Sequence, residues 1–294
     1  MPRFALRKKR LEEAYGFPLP DCLYQFWDFA KALSPLDPLK CLEEPLGIFL
    51  VGPFEILHGC LDHYHGPIPL NLHWRYSLDP PEFMTLMASG NNGWHAGLYF
   101  DLPDSRHFSF ASYHAAEGLE FSLDGHDPFS ALLAYCQERN EFQALGEGLE
   151  FPQDSSTAIE KTQKVLGRYQ KRELNRAPRR VGLKTLDGMG VVAPAKSCAP
   201  FTKKTQKAFT QPWTDSFFHL ALEEAGRHLQ AGAPGSALKL AKDVWAAGEE
   251  ASMRQAAEIM MGAYEALGRE PFKQILEGHM ANLNRPWLDI LDAG

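Results

Sequence analysis

Between residues 46 and 123 the apolar residues fall into short runs, each closed by a turn signal. Leu46–Val51 ends in Gly52-Pro53, Leu70–Tyr76 in Asp79-Pro80-Pro81, and Phe83–Ala88 in Ser89-Gly90-Asn91-Asn92-Gly93. Gly and Asn accept the left-handed backbone of a tight turn, so the last of these predicts a hairpin. Trp94–Phe100, His107–Tyr113 and Leu119–Leu123 bring the set to about six strands. Strands this short, joined by turns this tight, satisfy their backbone groups by pairing with their neighbours, which predicts an antiparallel sheet.

The flanking segments change period. Asp21–Leu33 places Leu23, Phe26, Trp27 and Ala30 on one helical face, starts at Pro20-Asp21 and is stopped by Pro35 and Pro38. Pro128–Arg139 is a second helix, with Asp127 as its N-cap. After residue 213 the chain reads as helices Thr214–Gln230, Ser236–Ala247, Glu249–Leu267 and Pro271–Leu283, separated by glycines, so neighbours should be antiparallel. Between lie a Gly/Glu/Ser-rich stretch at 142–160, a basic helix near Ser156–Asn175, and a ribbon of Val181–Leu186 with Met189–Ala193 turned at Asp187-Gly188. Residues 194–212 read as loop, and residues 1–10 as a frayed basic end whose Lys8-Lys9-Arg10 is at most a weak import signal.

The expected class is therefore α+β. An N-terminal antiparallel sheet flanked by helices occupies 1–141 and a linker 142–160. Residues 161–294 follow as the basic helix, the short ribbon and a mostly helical C-terminal domain.

Composition narrows the setting. Apolar residues at 45% can build a sizeable core. No apolar run is long enough to span a bilayer, and no apolar leader opens the chain. Five widely spaced cysteines without a C-x-x-C pair imply reduced thiols and an intracellular protein: nuclear or chromatin-associated in a eukaryote, cytoplasmic in a bacterium. The net charge of -7 is uneven, because Lys161 to Lys207 holds 13 basic residues against Glu173 and Asp187. Segment 161–207 could bind an anionic or polyphosphate-bearing partner such as nucleic acid, or could simply be a solvated helix.

Enzyme signatures are missing: no phosphate-binding Walker loop, no nucleophile elbow, no H-E-x-x-H. Gly188-Met189-Gly190-Val191-Val192-Ala193 loosely fits a dinucleotide fingerprint, but Pro194 denies it the helix that would hold a pyrophosphate. Cys60, His63 and His65 lack a second pair at zinc spacing and read as a polar loop, so no metal is expected. Asp79-Pro80-Pro81-Glu82 reads as a rigid corner. On the wheel of Thr214–Gln230, with Phe218 at zero, Leu222, Ala225 and Leu229 form the apolar stripe. Glu223 then points to solvent at about 140°, while Glu224, at about -120° beside Phe217 and His228, sits on the flank of the stripe. A carboxylate there is either an ordinary surface group or a functional one.

Several stretches resemble the histone PARylation factor family: Tyr15-Gly16-Phe17-Pro18-Leu19-Pro20-Asp21, Leu46-Gly47-Ile48-Phe49-Leu50-Val51-Gly52-Pro53-Phe54-Glu55, and Asn71-Leu72-His73-Trp74-Arg75-Tyr76 with Asp79-Pro80-Pro81-Glu82. Weaker echoes are Gly188-Met189-Gly190-Val191-Val192 and Glu277-Gly278-His279-Met280. The resemblance implies an accessory factor that docks on a poly(ADP-ribose) polymerase-type ADP-ribosyltransferase. It completes that enzyme's active site and directs it to serine, notably on histones. It implies no cofactor of its own, since the transferase binds the NAD; ADP-ribose polymer joins nucleic acid as a candidate partner of segment 161–207, and a monomer is expected.

A serine hydroxyl, unlike a carboxylate acceptor, needs a general base. The resemblance puts that base at Glu224, with Glu223, Phe201, Thr202, Lys203, Lys204 and His228 toward the partner. Where the family has a tyrosine–arginine pair this chain has Phe201 and Thr202, so the guanidinium is gone, and Lys203 or Lys204 would supply charge without its planar fork. The alternatives are a non-catalytic protein- or ADP-ribose-binding module, and a self-sufficient hydrolase or transferase using Glu223 and Glu224.

Overall fold

A computed structural model describes residues 3–90, 93–145, 155–169, 179, 181–209, 214–285 and 287–291. The chain opens with helix α1 (Arg3–Tyr15) and α2 (Asp21–Leu33), followed by α3 (Glu43–Leu46), strand β1 (Ile48–Leu50) and α4 (Pro53–His58). Strands β2 (Arg75–Tyr76), β3 (Phe83–Ser89), β4 (Trp94–Phe100), β5 (Phe108–His114) and β6 (Ser122–Gly125) come next. Then follow α5 (Pro128–Leu145), α6 (Ser155–Leu166), α7 (Lys203–Ala208), α8 (Asp215–Gln230), α9 (Pro234–Trp245), α10 (Glu250–Ala266), α11 (Glu270–Met280) and β7 (Trp287–Leu288).

The expected α+β class holds. Five strands form one antiparallel sheet in the order β1-β3-β4-β5-β6, and the C-terminal region is helical. Strands β3 and β4 are buried on both faces, which is why their sequences read as nearly unbroken apolar runs. Successive side chains alternate between faces. Phe100 packs on Phe17, which in turn meets Phe272 of α11. On the other face Tyr99 meets Lys242 of α9. At Gly97, opposite the bulge between Thr85 and Met87, an added Cβ would lie 1.9 Å from the carbonyl oxygen of Met84, so no side chain fits there.

The structure corrects several expectations. The N-terminus is helical from Arg3, because Arg7 bridges to Asp62 and the Leu57 carbonyl, while Arg10 donates to the carbonyls of Leu61 and Tyr64. Those contacts use basic side chains that in sequence suggest a free tail. Leu70–Tyr76 is not one strand: Leu70–Leu72 is a 3-10 turn, and only Arg75–Tyr76 pairs, with Trp287–Leu288 from the far end of the chain. The ribbon after residue 180 shrinks to a single bridge between Leu183 and Val191.

Helix α6 ends at Leu166, short of the expected Asn175. Residues 170–178 and 180 of the basic segment lie outside the described residues. Arg179 is no part of a solvated helix, since its guanidinium grips both oxygens of the nearly buried Asp101. Helix α5 runs to Leu145 and α6 starts at Ser155; of the stretch between, residues 146–154 lie outside the described residues. One continuous apolar core includes Phe26 and Phe54 near the N-terminus together with Leu240 and Phe272 near the C-terminus.

Candidate functional site

Helix α8 starts as its sequence dictates: the Thr214 hydroxyl accepts from the Phe217 N–H and caps it. Its buried face is rotated from the expected one. Phe217, Ala221, Glu224 and Ala225 are buried, whereas Phe218, Leu222 and Leu229 are only partly so. The stripe is centred about 75° from Phe218 on the wheel. Glu224 therefore lies inside the stripe, 2% exposed, and not on its flank. The reason is tertiary, because α7, α9 and α10 all pack on α8, and α7 meets it at Glu224.

A buried carboxylate must be provided with donors. Thr202 donates its backbone N–H to Glu224 Oε1 at 2.6 Å and its hydroxyl to Oε2 at 2.7 Å, and the Thr205 hydroxyl also donates to Oε2. The His228 ring nitrogen Nε2 lies 3.4 Å from Oε1, and the Arg227 guanidinium 3.9 Å from Oε2. Burial pushes the Glu224 pKa up, but the Thr205 and Thr202 hydroxyls, the Thr202 N–H and the charge of His228 outweigh it and hold the group below the usual carboxylate range. Thr202 has a second role: its hydroxyl caps α7 by accepting from the Thr205 N–H.

The structure gathers most of the expected site residues. Phe201 packs edge-on to His228, with ring centroids 5.6 Å apart, and under it Lys239 sits over the Phe209 ring at 3.5 Å. Lys203 and Lys204 are exposed in the first turn of α7. Glu223 is exposed, 3.9 Å from Arg227. Two neighbours escaped the sequence reading. Thr205 carried a signal, since it stands three residues after the N-cap Thr202. Arg227, on α8, places a guanidinium 3.9 Å from Glu224; its i+3 spacing from Glu224 was the available clue.

A second polar cluster sits between the sheet and the C-terminal helices. The Lys242 ammonium lies 3.4 Å from Glu82 and 3.5 Å from Asp187, and donates to the Tyr99 hydroxyl. Tyr264 donates to Glu82 at 2.8 Å. Beside it, Asp243 pairs with Lys239 and accepts from the Leu186 N–H, and burial pushes its carboxyl up to about 6 against the pull of Lys239. Asp79 accepts from Tyr113, His95 and the Tyr76 N–H. The Asp79-Pro80-Pro81-Glu82 corner is thus rigid, as its prolines predict, and it also delivers two buried carboxylates to tertiary partners. Among the described residues no group of three His, Cys, Asp or Glu is placed to hold a metal ion, and no helix is long and apolar enough to cross a membrane.

The scaffold is α+β, and it holds the Glu224 carboxylate beneath the short helix α7. The family model of Histone PARylation factor 1 matches residues 6–201, two-thirds of the chain, and the chain belongs to that family. It is 26% identical to Histone PARylation factor 1 of Bos taurus, covering 97% of this chain and 89% of the relative, and 26% identical to that of Mus musculus with the same coverage. The Danio rerio protein is 27% identical over 97% of this chain and 88% of its own length.

Proposed function

We propose that this chain is an accessory factor for a poly(ADP-ribose) polymerase-type ADP-ribosyltransferase and supplies Glu224 as a general base toward serine acceptors. The observation that carries the reading is a carboxylate held ionised beneath α7, with an aromatic ring, Phe201, and cations on α7 and α8 around it. In the step it would assist, the bond from nicotinamide nitrogen to the anomeric carbon breaks and the serine oxygen bonds to that carbon. The hydroxyl proton passes to Glu224. The Thr202 and Thr205 hydroxyls fill both acceptor sites of Oε2, while Oε1 takes only the Thr202 N–H, so the acceptor hydroxyl would approach the remaining site of Oε1, beside His228. Arg227, Lys203 and Lys204 would face acidic groups of the transferase, and Arg227 offers the planar fork that Thr202 cannot.

Intracellular, nuclear placement and histone acceptors follow from the same reading, since the relatives bear the name of a histone-directed factor. The same three hydrogen bonds also suit a second reading, in which Glu224 only fastens α7 and the protein is a binding module. Reconstitution separates the two: transferase, NAD and a serine-containing acceptor, with and without this chain, and the modified residues mapped by mass spectrometry. Serine modification that depends on the chain supports the first reading, while binding without a change of acceptor leaves the second.

A further inference from the structure

At the edge of the sheet is a cavity of about 600 Å³, lined by Lys40, Phe49, Glu55, Trp74, Tyr76 and Ala88, among others, and by none of the residues around Glu224. Phe49 is the outward residue of the edge strand β1, between the buried Ile48 and Leu50. Its cross-strand partner is Ala88, whose partner on β4 is His95. Directly opposed residues share a face, so the row runs Phe49, Ala88, His95. The Tyr76 ring lies stacked on His95, with centroids 3.8 Å apart. The small Ala88 stands between Phe49 and the Tyr76–His95 stack in this row, and Phe49, Tyr76 and Ala88 all line the cavity. Two strand spacings separate Phe49 from His95 by about 10 Å, and the stacked Tyr76 ring takes 3.8 Å of that, so a planar ring in the cavity has room to lie against the exposed face of Phe49.

The walls of the cavity are built with care for shape. Trp74 has φ of 60°, the only non-glycine residue with positive φ among the described residues, and its N–H is fixed to the Leu288 carbonyl of β7. Such strain persists only where surrounding contacts enforce it, and it concentrates at ligand sites. Polar groups flank the aromatic walls. Glu55 Oε2 accepts from the Gly52 N–H and lies 3.0 Å from His73 Nε2, while its other oxygen has no protein partner among the described residues. Lys40, exposed at the rim, has no carboxylate partner among the described residues.

We propose that this cavity binds a purine nucleoside phosphate. The base stacks on Phe49, the free oxygen of Glu55 accepts from a ribose hydroxyl or exocyclic amine, and Lys40 pairs with the phosphate. The inference does not depend on the role of Glu224. A cation caged by the aromatic rings would use Glu55 too, but it would be repelled by Lys40; the nucleotide uses both charges. The same chemistry could come from a free adenine nucleotide or from the adenosine end of an ADP-ribose unit.

Calorimetric titration of the full chain with AMP, adenosine, ADP-ribose and inorganic phosphate tests it. AMP should bind, adenosine about tenfold more weakly, and inorganic phosphate not detectably. ADP-ribose tighter than AMP indicates the ADP-ribose source, and equal or weaker binding indicates the free nucleotide. Lys40→Ala should cost AMP about tenfold and leave adenosine unchanged, because Lys40 meets only the phosphate. Phe49→Ala should weaken both, with melting curves confirming that each variant is folded. Absence of AMP binding at about 5 mM, or AMP affinity unchanged in both variants, overturns the proposal. So does a lysine-bearing peptide that occupies the cavity in place of AMP and binds more tightly to Lys40→Ala.

Discussion

The Thr205 hydroxyl donates to the carboxylate of Glu224, 19 positions along the chain, and thereby fastens α7 to α8. Thr202 adds two more donors from the turn before α7. Whatever Glu224 does for a partner, in this chain it also holds a local piece of tertiary structure together.

Glu224→Gln should therefore have two effects. With the transferase present, serine modification should fall by about 10² to 10⁴, the usual loss for a missing general base. Stability should also fall by about 1–3 kcal/mol, since a neutral amide replaces a charged acceptor of buried hydrogen bonds. Acceptor mapping reads the first effect and denaturant melts the second. A stability loss with serine modification at the normal rate would leave Glu224 a structural residue. The carboxylate is held below its ordinary value, so its stabilising contribution is present above about pH 4.5 and is lost as pH falls through the lowered value. The variant should lack that part of the acid dependence.

Charge reversal at the exposed end of α7 should weaken docking without harming the fold. Lys203→Glu makes no change to the core and should cost the complex affinity mainly through slower association, more at low salt than at high. Arg227→Ala removes the guanidinium beside Glu224 and should weaken the same complex. Surface plasmon resonance against the transferase across a salt series measures both. Unchanged affinity in both variants would place the docking surface elsewhere.

His279 gives a pH signature of its own. Buried among Trp245, Arg75 and the Ser77 carbonyl, its imidazole is pushed down to about 4, first by burial and then by the Arg75 charge. The unfolded chain binds this proton near pH 6.5 and the folded one near 4, so stability should drop as pH falls through that window, by about 3 kcal/mol in all. Asp243, raised to about 6, slopes the opposite way between its ordinary value and 6. The comparison is therefore between the native chain and His279→Gln, whose difference should show the His279 contribution alone. Parallel stability curves from pH 4 to 7 would contradict it.

Lys242 supports the junction of the two halves. Lys242→Met leaves Glu82 and Asp187 buried without their shared cation, which should cost about 3–5 kcal/mol. Differential scanning calorimetry checks it. A melting temperature within a degree of the parent's would mean that those carboxylates take up protons or water at little cost.

Much of the architecture was legible because it is local. Helix α2 runs Asp21–Leu33 as its prolines and apolar spacing predict. The strands β3 to β5 follow their turn signals within a residue or so, and Asp127 and Thr214 cap the helices they precede. The site was only half legible. Periodicity singled out Glu224, but it assigned the wrong side of α8, because a wheel weighs only the helix's own apolar residues. The threonines that make a buried carboxylate tolerable belong to another element.

The α+β class, the antiparallel pairing and the family resemblance could be read along the chain, since each rests on the order and spacing of residues in short segments. That Arg3–Tyr15 is helical, that Arg75–Tyr76 pairs with Trp287–Leu288 and that Glu224 is buried emerged from the folded chain alone. Each of these depends on hydrogen bonds or packing between residues far apart in the chain. A charged or polar side chain looks solvated in sequence until the fold brings it a partner that replaces the water.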